Sequence, residues 1–152
     1  MLAAVIRATG SVSALGATFA ALIPGVTHGL LGHAVVLDPA RESETERLAE
    51  ATGAGYVAGD DWRDGIRAAR GEWLLLLDAG DLPAINWPAV VERHLQVAAT
   101  QAALLPREGW AASLAERFGR GLRPGLVLPR EAALSERIGG RVRRLQAFRE
   151  RV

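Results

Sequence analysis

Asp78 and Asp81 are the side chains best placed to do chemistry in this sequence, and Asp38 is the third. Asp78 closes the run Trp73-Leu74-Leu75-Leu76-Leu77. Four leucines behind a tryptophan, without polar alternation, read as a strand buried on both faces, the kind found inside a parallel sheet. Such a strand, stopping at a carboxylate, delivers that carboxylate to the carboxyl edge of the sheet, where ligands bind in open α/β folds. Asp81 follows after an Ala-Gly step, so both carboxylates can converge on one spot. At roughly 4 Å and an effective dielectric near 20 they would repel by about 4 kcal/mol unless a cation sat between them. A hard divalent ion with oxygen ligands is the natural guest. Taken alone, Asp-Ala-Gly-Asp reads more plainly as a strand end and a turn cap.

The elements that would hold these residues alternate strictly. Ala3-Ala4-Val5-Ile6 opens a first buried strand, Ala3–Arg7. Ser11 or Ser13 can cap a helix with Leu15, Phe19 and Leu22 on one face, and Pro24-Gly25 is expected to end it. A second strand, His33–Asp38, ends before Pro39. A helix from Ser43 to Thr52 stops at Gly53, and Gly55–Val57 is a brief third strand. Asp60 and Asp61 precede a helix running to Arg70, both read as caps rather than ligands. Gly71 then leads into Trp73–Asp78. Strand and helix in alternation mean right-handed crossovers and a mostly parallel sheet. Two of its strands, ending at Asp38 and Asp78, bring carboxylates to the same edge, a layout suited to a nucleotide.

After Asp81 the pattern loosens. Asn86-Trp87-Pro88 starts a helix with proline near its first turn, extending to about Ala98. Ala102–Leu105 is a candidate strand. A helix from Gly109 to Gly119 would align Trp110, Leu114 and Phe118. Leu126–Leu128 is a short strand, followed by a helix from Glu131 to Ile138 and the break Gly139-Gly140. The last segment, 141–152, is basic, with Val142, Leu145, Phe148 and Val152 set on one side of an amphipathic pattern.

Composition bounds the function. The chain has 152 residues, 49% hydrophobic and 23% charged, which suits one globular domain. A net charge of +1 argues against a general nucleic-acid binder. There is no cysteine, so disulfides, thiolate catalysis and zinc ribbons are excluded. The three histidines lack metal-ligand spacing. No G-x-G-x-x-G fingerprint or Walker loop is present. Neither a signal peptide nor a membrane span is read, so a cytoplasmic protein is expected.

The order of strand, Asp38, helix, Gly53-Ala54, helix, Ala69-Arg70-Gly71-Glu72-Trp73, apolar strand and Asp78-Ala79 resembles the family 2 glycosyltransferases. Leu15, Phe19, Ala20, Leu22, Thr45 and Gly65-Ile66 extend the match, as does Gly125-Leu126-Val127-Leu128-Pro129-Arg130 before Gly139-Gly140. The resemblance covers roughly Ala3 to Gly140 and is strongest between Val35 and Asp81. It implies a GT-A-like, Rossmann-like three-layer α/β sandwich with a mostly parallel central sheet. Residues 1–152 would be a single domain. Residues 1–83 would form its nucleotide-binding half and 84–140 a reduced acceptor-side half, with 141–152 a basic amphipathic end. It further implies transfer of a sugar from a nucleotide-sugar donor, uridine-linked, to an acceptor the residues do not identify.

Under this resemblance Asp38, Asp78, Arg7 and Arg130 are expected to contact the donor nucleotide, Arg130 reading equally as a solvated arginine that opens a helix. Asp78 and Asp81 are expected to hold a divalent cation, Mn or Mg. The sequence also departs from the family pattern. The second carboxylate of the D-x-D metal motif falls at Gly80, and Arg7-Ala8 stands where Pro-Thr usually ends the first strand. The acceptor-activating carboxylate normally lies beyond the glycine pair, close to where this sequence stops. Glu131 and Glu136 are the remaining candidates for that base, acting across a homodimer formed through the Val142, Leu145, Phe148 and Val152 face. The C-terminal arginines Arg141, Arg143, Arg144, Arg149 and Arg151 suggest either contact with anionic lipid heads at a membrane periphery or a last helix docked on the sheet. A non-catalytic module that keeps the fold and has lost the base is the alternative to an enzyme.

Overall fold

The computed structural model describes residues 1–98, 100–117, 119–135, 137–138 and 141–152. The first half runs β1 (Leu2–Arg7), α1 (Val12–Thr27), β2 (Leu31–Asp38), α2 (Ser43–Thr52), β3 (Gly55–Ala58), α3 (Trp62–Ala68) and β4 (Trp73–Asp78). The second runs β5 (Asp81–Pro83), α4 (Trp87–Val97), β6 (Ala103–Leu104), α5 (Trp110–Arg117), β7 (Leu126–Pro129) and α6 (Arg130–Leu134). It closes with β8 (Arg143–Arg144) and β9 (Arg149–Arg151).

One sheet of the described residues has the strand order β3-β2-β1-β4-β7-β6-β8. The first four strands are mutually parallel, whereas β7 runs antiparallel to both β4 and β6. Period-2 alternation divides β1, β2 and β4 between two cores. Leu2, Ala4, Ile6, Val36, Leu75 and Leu77 face α1, α2 and α4 through Leu15, Leu22, Ala49, Trp87 and Val91. Ala3, Val5, Val35, Leu37, Leu74 and Leu76 face α3 and α6 through Trp62, Ile66 and Ala133. Leu74 to Leu77 are all fully buried, each side chain contributing about 1.5–3 kcal/mol. The chain is therefore a three-layer α/β sandwich, as the alternation predicts.

Three expectations fail. Pro24-Gly25 does not end α1, which continues to Thr27. A proline forfeits one backbone hydrogen bond, but this turn is held by side chains, one from α4 and one from the helix itself. The Trp87 indole donates to the Ala21 carbonyl at 3.1 Å, and the Thr27 hydroxyl donates to the Ile23 and Pro24 carbonyls at 3.1 Å.

The C-terminal segment is neither a helix nor a separable tail. Instead β8 adds to β6, and β9 pairs antiparallel with β5 in a second, two-stranded sheet. Leu145 and Ala147 enter the first core, while Phe148 and Val152 are 50% and 73% exposed. The expected apolar face of Val142, Leu145, Phe148 and Val152 is thus not assembled as one surface. Similarly, Leu114 on α5 is exposed rather than core-facing. Phe118 of that predicted face lies outside the described residues, as do Glu136, Gly139 and Gly140.

Candidate active site

Three neighbouring strand ends build the site. Cα register sets Arg7 beside Leu37 on one side and beside Asp78 on the other. Asp38, one residue beyond Leu37, completes a row of Asp38, Arg7 and Asp78 along the carboxyl edge. The chain winds outward from β1 through β2 to β3, then returns to place β4 on the opposite side of β1. The β1–β4 boundary is therefore the switch point where the edge of such a sheet opens into a crevice.

At this boundary Arg7 and Asp78 form a two-pronged ion pair. Arg7 Nε donates to Asp78 Oδ1 at 2.9 Å and Nη2 donates to Oδ2 at 3.3 Å. The Arg7 guanidinium also lies 4.7 Å from the centre of the Trp62 ring, a cation–π contact that holds its plane. The Arg7 side chain keeps 29% of its surface exposed. Arginine in this planar, partly open setting can add a phosphate oxygen to its remaining donors. The first-strand departure from Pro-Thr thus places a cation directly beside Asp78.

Asp81 is turned inward instead of toward that crevice. It is fully buried; its Oδ2 accepts from the Asp78 amide at 2.8 Å and its Oδ1 from Arg149 Nη1 at 2.8 Å. Arg149 is itself buried. Its Nε donates to the Leu105 carbonyl at 3.0 Å, and its Nη2 donates to the Pro124 carbonyl at 3.0 Å and to Glu116. Glu116 also accepts from the Arg107 amide at 3.0 Å. This Asp81–Arg149–Glu116 network ties β5, β9 and α5 together beneath the site. The metal-ligand role expected of Asp81 does not fit a carboxylate with both oxygens so committed.

Gly80 makes the same point. Its φ of +94° is open to glycine at little cost, and its N–H donates to the Thr18 hydroxyl at 2.8 Å. No carboxylate stands there, and both Asp78 oxygens face Arg7. Among the described residues no three His, Asp or Glu side chains are grouped to hold a metal ion. A hard cation asks for several oxygen ligands, and the residues present do not supply them.

Asp38 is 1% exposed. Its carboxylate accepts from the Ala40 amide at 3.1 Å, the Glu42 amide at 2.8 Å and the Tyr56 hydroxyl at 2.8 Å. These bonds organise the turn from Asp38 to the start of α2, in which Arg41 takes the left-handed conformation with φ 56°. Burial, and then the bond to Asp38, push the Tyr56 hydroxyl up to about 12. The Asp61 side chain caps α3 by accepting from the Arg63 amide at 2.9 Å, as expected.

Arg130 and Glu131 lie at the other end of the sheet. The β4–β7 register pairs Trp73 with Pro129, so Arg130 sits at the amino end of β4, roughly 17 Å from Asp78 along the strand. Arg130 Nη2 donates to the Arg67 carbonyl at 3.0 Å and Nη1 to the Ala69 carbonyl. It thereby caps the C-terminus of α3, where a cation is favoured. Glu131 is exposed on α6 at that same far end, away from any acceptor reacting at Asp78. Glu136 lies outside the described residues.

A cavity of about 220 Å³ beside Asp78 is lined by Glu116, Arg107 and Arg123, which sequence reasoning misses, and by Arg149 and Arg151, which it reads as part of a lipid-facing or docked end. It adjoins a larger cavity of about 580 Å³ that shares Glu116 and Arg123 and adds Arg141, Arg143 and Arg144. A clustering of arginines after Pro106 was the available signal. Their convergence on Asp78 depends on β9 folding back, which no local pattern announces.

No family model matches the sequence, and no curated protein matches it either. Solved structures do resemble its fold. S. aureus TarS residues 1–349 in complex with UDP align with 98% of this chain and 59% of their own length, at TM-score 0.65 and 12% identity. Mycobacterium tuberculosis glucosyl-3-phosphoglycerate synthase, in complex with Mn²⁺, UDP and phosphoglyceric acid, aligns with 86% of this chain and 56% of its own. There the TM-score is 0.63 and the identity 18%. A nucleotidyl transferase from Methanothermobacter aligns with 92% of this chain and 77% of its own, at TM-score 0.60 and 18% identity. The fold is GT-A-like, and the chain spans little more than half the length of the two glycosyltransferases.

Proposed function

We propose that this chain binds a nucleotide-sugar, uridine-linked, across the Asp38–Arg7–Asp78 edge and acts as a glycosyltransferase of hexosyl type. The observation that carries this reading is the Arg7–Asp78 pair at the switch point of a GT-A-like sheet. Support comes from similarly folded proteins that hold UDP or a UDP-sugar. In this reading Asp38 acts through the turn it organises, and Arg7 offers donors to the diphosphate while Asp78 holds it in place. The divalent cation seen with UDP in the mycobacterial synthase has no matching ligand set here, so no step is assigned to it.

An inverting transfer needs a base near the acceptor hydroxyl. Glu116 lines the cavity, but its carboxylate is engaged by Arg149 and the Arg107 amide. This favours one second reading, a nucleotide-binding module without turnover. Incubation with UDP-glucose and UDP-N-acetylglucosamine, followed by chromatographic detection of released UDP, separates the two. UDP release that Arg7→Gln abolishes supports the enzyme. Saturable binding without release supports the module, and folded protein that binds neither donor removes both. No described helix is long and apolar enough to cross a membrane.

A further inference from the structure

We infer that arginines do at this site what a divalent cation does in a metal-dependent one. The cavity of Arg107, Arg123 and Arg151 beside Asp78 takes a diphosphate group without a metal ion. This rests on the nucleotide-sugar reading for the identity of the whole ligand, but the pocket's own chemistry is independent of it.

The charge balance is one-sided. Of the charged groups at the cavity, Asp78 is paired with Arg7, and Arg149 is shared between Glu116 and the buried Asp81, which leaves one carboxylate charge of that network over. Arg107, Arg123 and Arg151 remain, with no ion pair within 4 Å among the described residues. Arg107 Nε and Arg123 Nε are moreover buried and have no hydrogen-bond partner. A buried donor left unmatched is costly and calls for an explanation. Three guanidinium groups against one surplus carboxylate charge leave the recess net positive, which favours an entering anion. Guanidinium forks suit phosphate oxygens in particular.

Size agrees with charge. Pockets that enclose a whole drug-sized ligand run to roughly 300–1,000 Å³. At about 220 Å³ this one suits a diphosphate, leaving the nucleoside to the open strand edge at Arg7 and Asp38. Meanwhile the position that would supply a metal ligand is Gly80, and Asp81 is locked to Arg149. A glycine at the metal-ligand position and arginines without an ion pair coincide at one place.

The test is calorimetric titration of the full chain with UDP and with inorganic pyrophosphate, each in EDTA and in Mn²⁺. Pyrophosphate should bind in EDTA, with an affinity within about twofold of that in Mn²⁺ and weakening steeply with salt. Arg123→Gln and the exposed-site variant Arg151→Gln should each weaken it roughly tenfold. Arg47→Gln, on the solvent face of α2, should leave it unchanged. Circular dichroism confirms that each variant is folded. Binding of pyrophosphate or UDP only when Mn²⁺ is present would overturn the inference, as would binding that the two variants leave intact. Pyrophosphate binding without UDP binding would sustain the arginine pocket and remove the nucleotide reading instead. Folded wild-type protein that binds neither would remove both.

Discussion

Asp81 shows how far a single residue can be read from sequence. Its presence three positions after Asp78 is visible, but its role is set by Arg149, distant in sequence and delivered by a different strand. A carboxylate that is fully buried against one arginine is costly to orphan: removing one partner of such a pair costs about 3–5 kcal/mol. Asp81→Asn and Arg149→Gln should therefore each lower stability by that order, read as a shift in the denaturation midpoint. If Asp81 served only a ligand, Asp81→Asn would leave the midpoint in place. Tyr56 gives a second check, because it is the only tyrosine in the chain. Its hydroxyl is raised from 10.0 to about 12 by burial and by its bond to Asp38. A proton held more tightly when folded stabilises fully below pH 10, and that contribution is lost as the pH rises through about 12. Tyrosinate absorbance should accordingly titrate near 12 in the folded protein and lower in Asp38→Asn, where the charged acceptor is gone and burial alone holds the hydroxyl up. A wild-type midpoint near 10 would contradict the Tyr56–Asp38 bond.

At the scale of elements, the first half of the chain was legible because its strands are buried on both faces. Trp73–Asp78 announces itself as an unbroken apolar run, and the predicted strand Ala3–Arg7 differs from β1 by one residue. The end of the chain was not legible. β8 and β9 span two and three residues, too short for any periodicity, and their arginines suggested either lipid contact or a helix docked on the sheet. What fixes them is pairing with β6 and β5, together with Arg149. Gly125 is part of that fit, since its φ is +92° and an added Cβ would lie 2.6 Å from Arg149 Nε. Removing residues 141–152 withdraws Arg149 from Asp81 and Leu145 from the core. The truncated chain should unfold or lose its cooperative melt, rather than remain a folded protein freed of a tail. A truncated form with an unchanged melting transition would show that β8 and β9 are dispensable.

For the whole molecule, topology made the candidate edge legible while contacts decided its chemistry. Asp38 and Asp78 were placed correctly at one edge by counting strands. Arg130 and Glu131 lie at the opposite end, because β7 runs antiparallel and carries them there. No local signal in Leu126–Pro129 distinguishes the two directions. The central claim is that the donor binds where β1, β2 and β4 end, at the switch point, and it is tested most directly by backbone amide NMR during titration with UDP. Resonances of Arg7–Gly10, Asp38–Glu42 and Asp78–Asp81 should move together along one saturating curve, while those of Arg130–Ser135 stay fixed. Saturating shifts centred on Arg130–Ser135, or no shifts from folded protein at millimolar UDP, would contradict it.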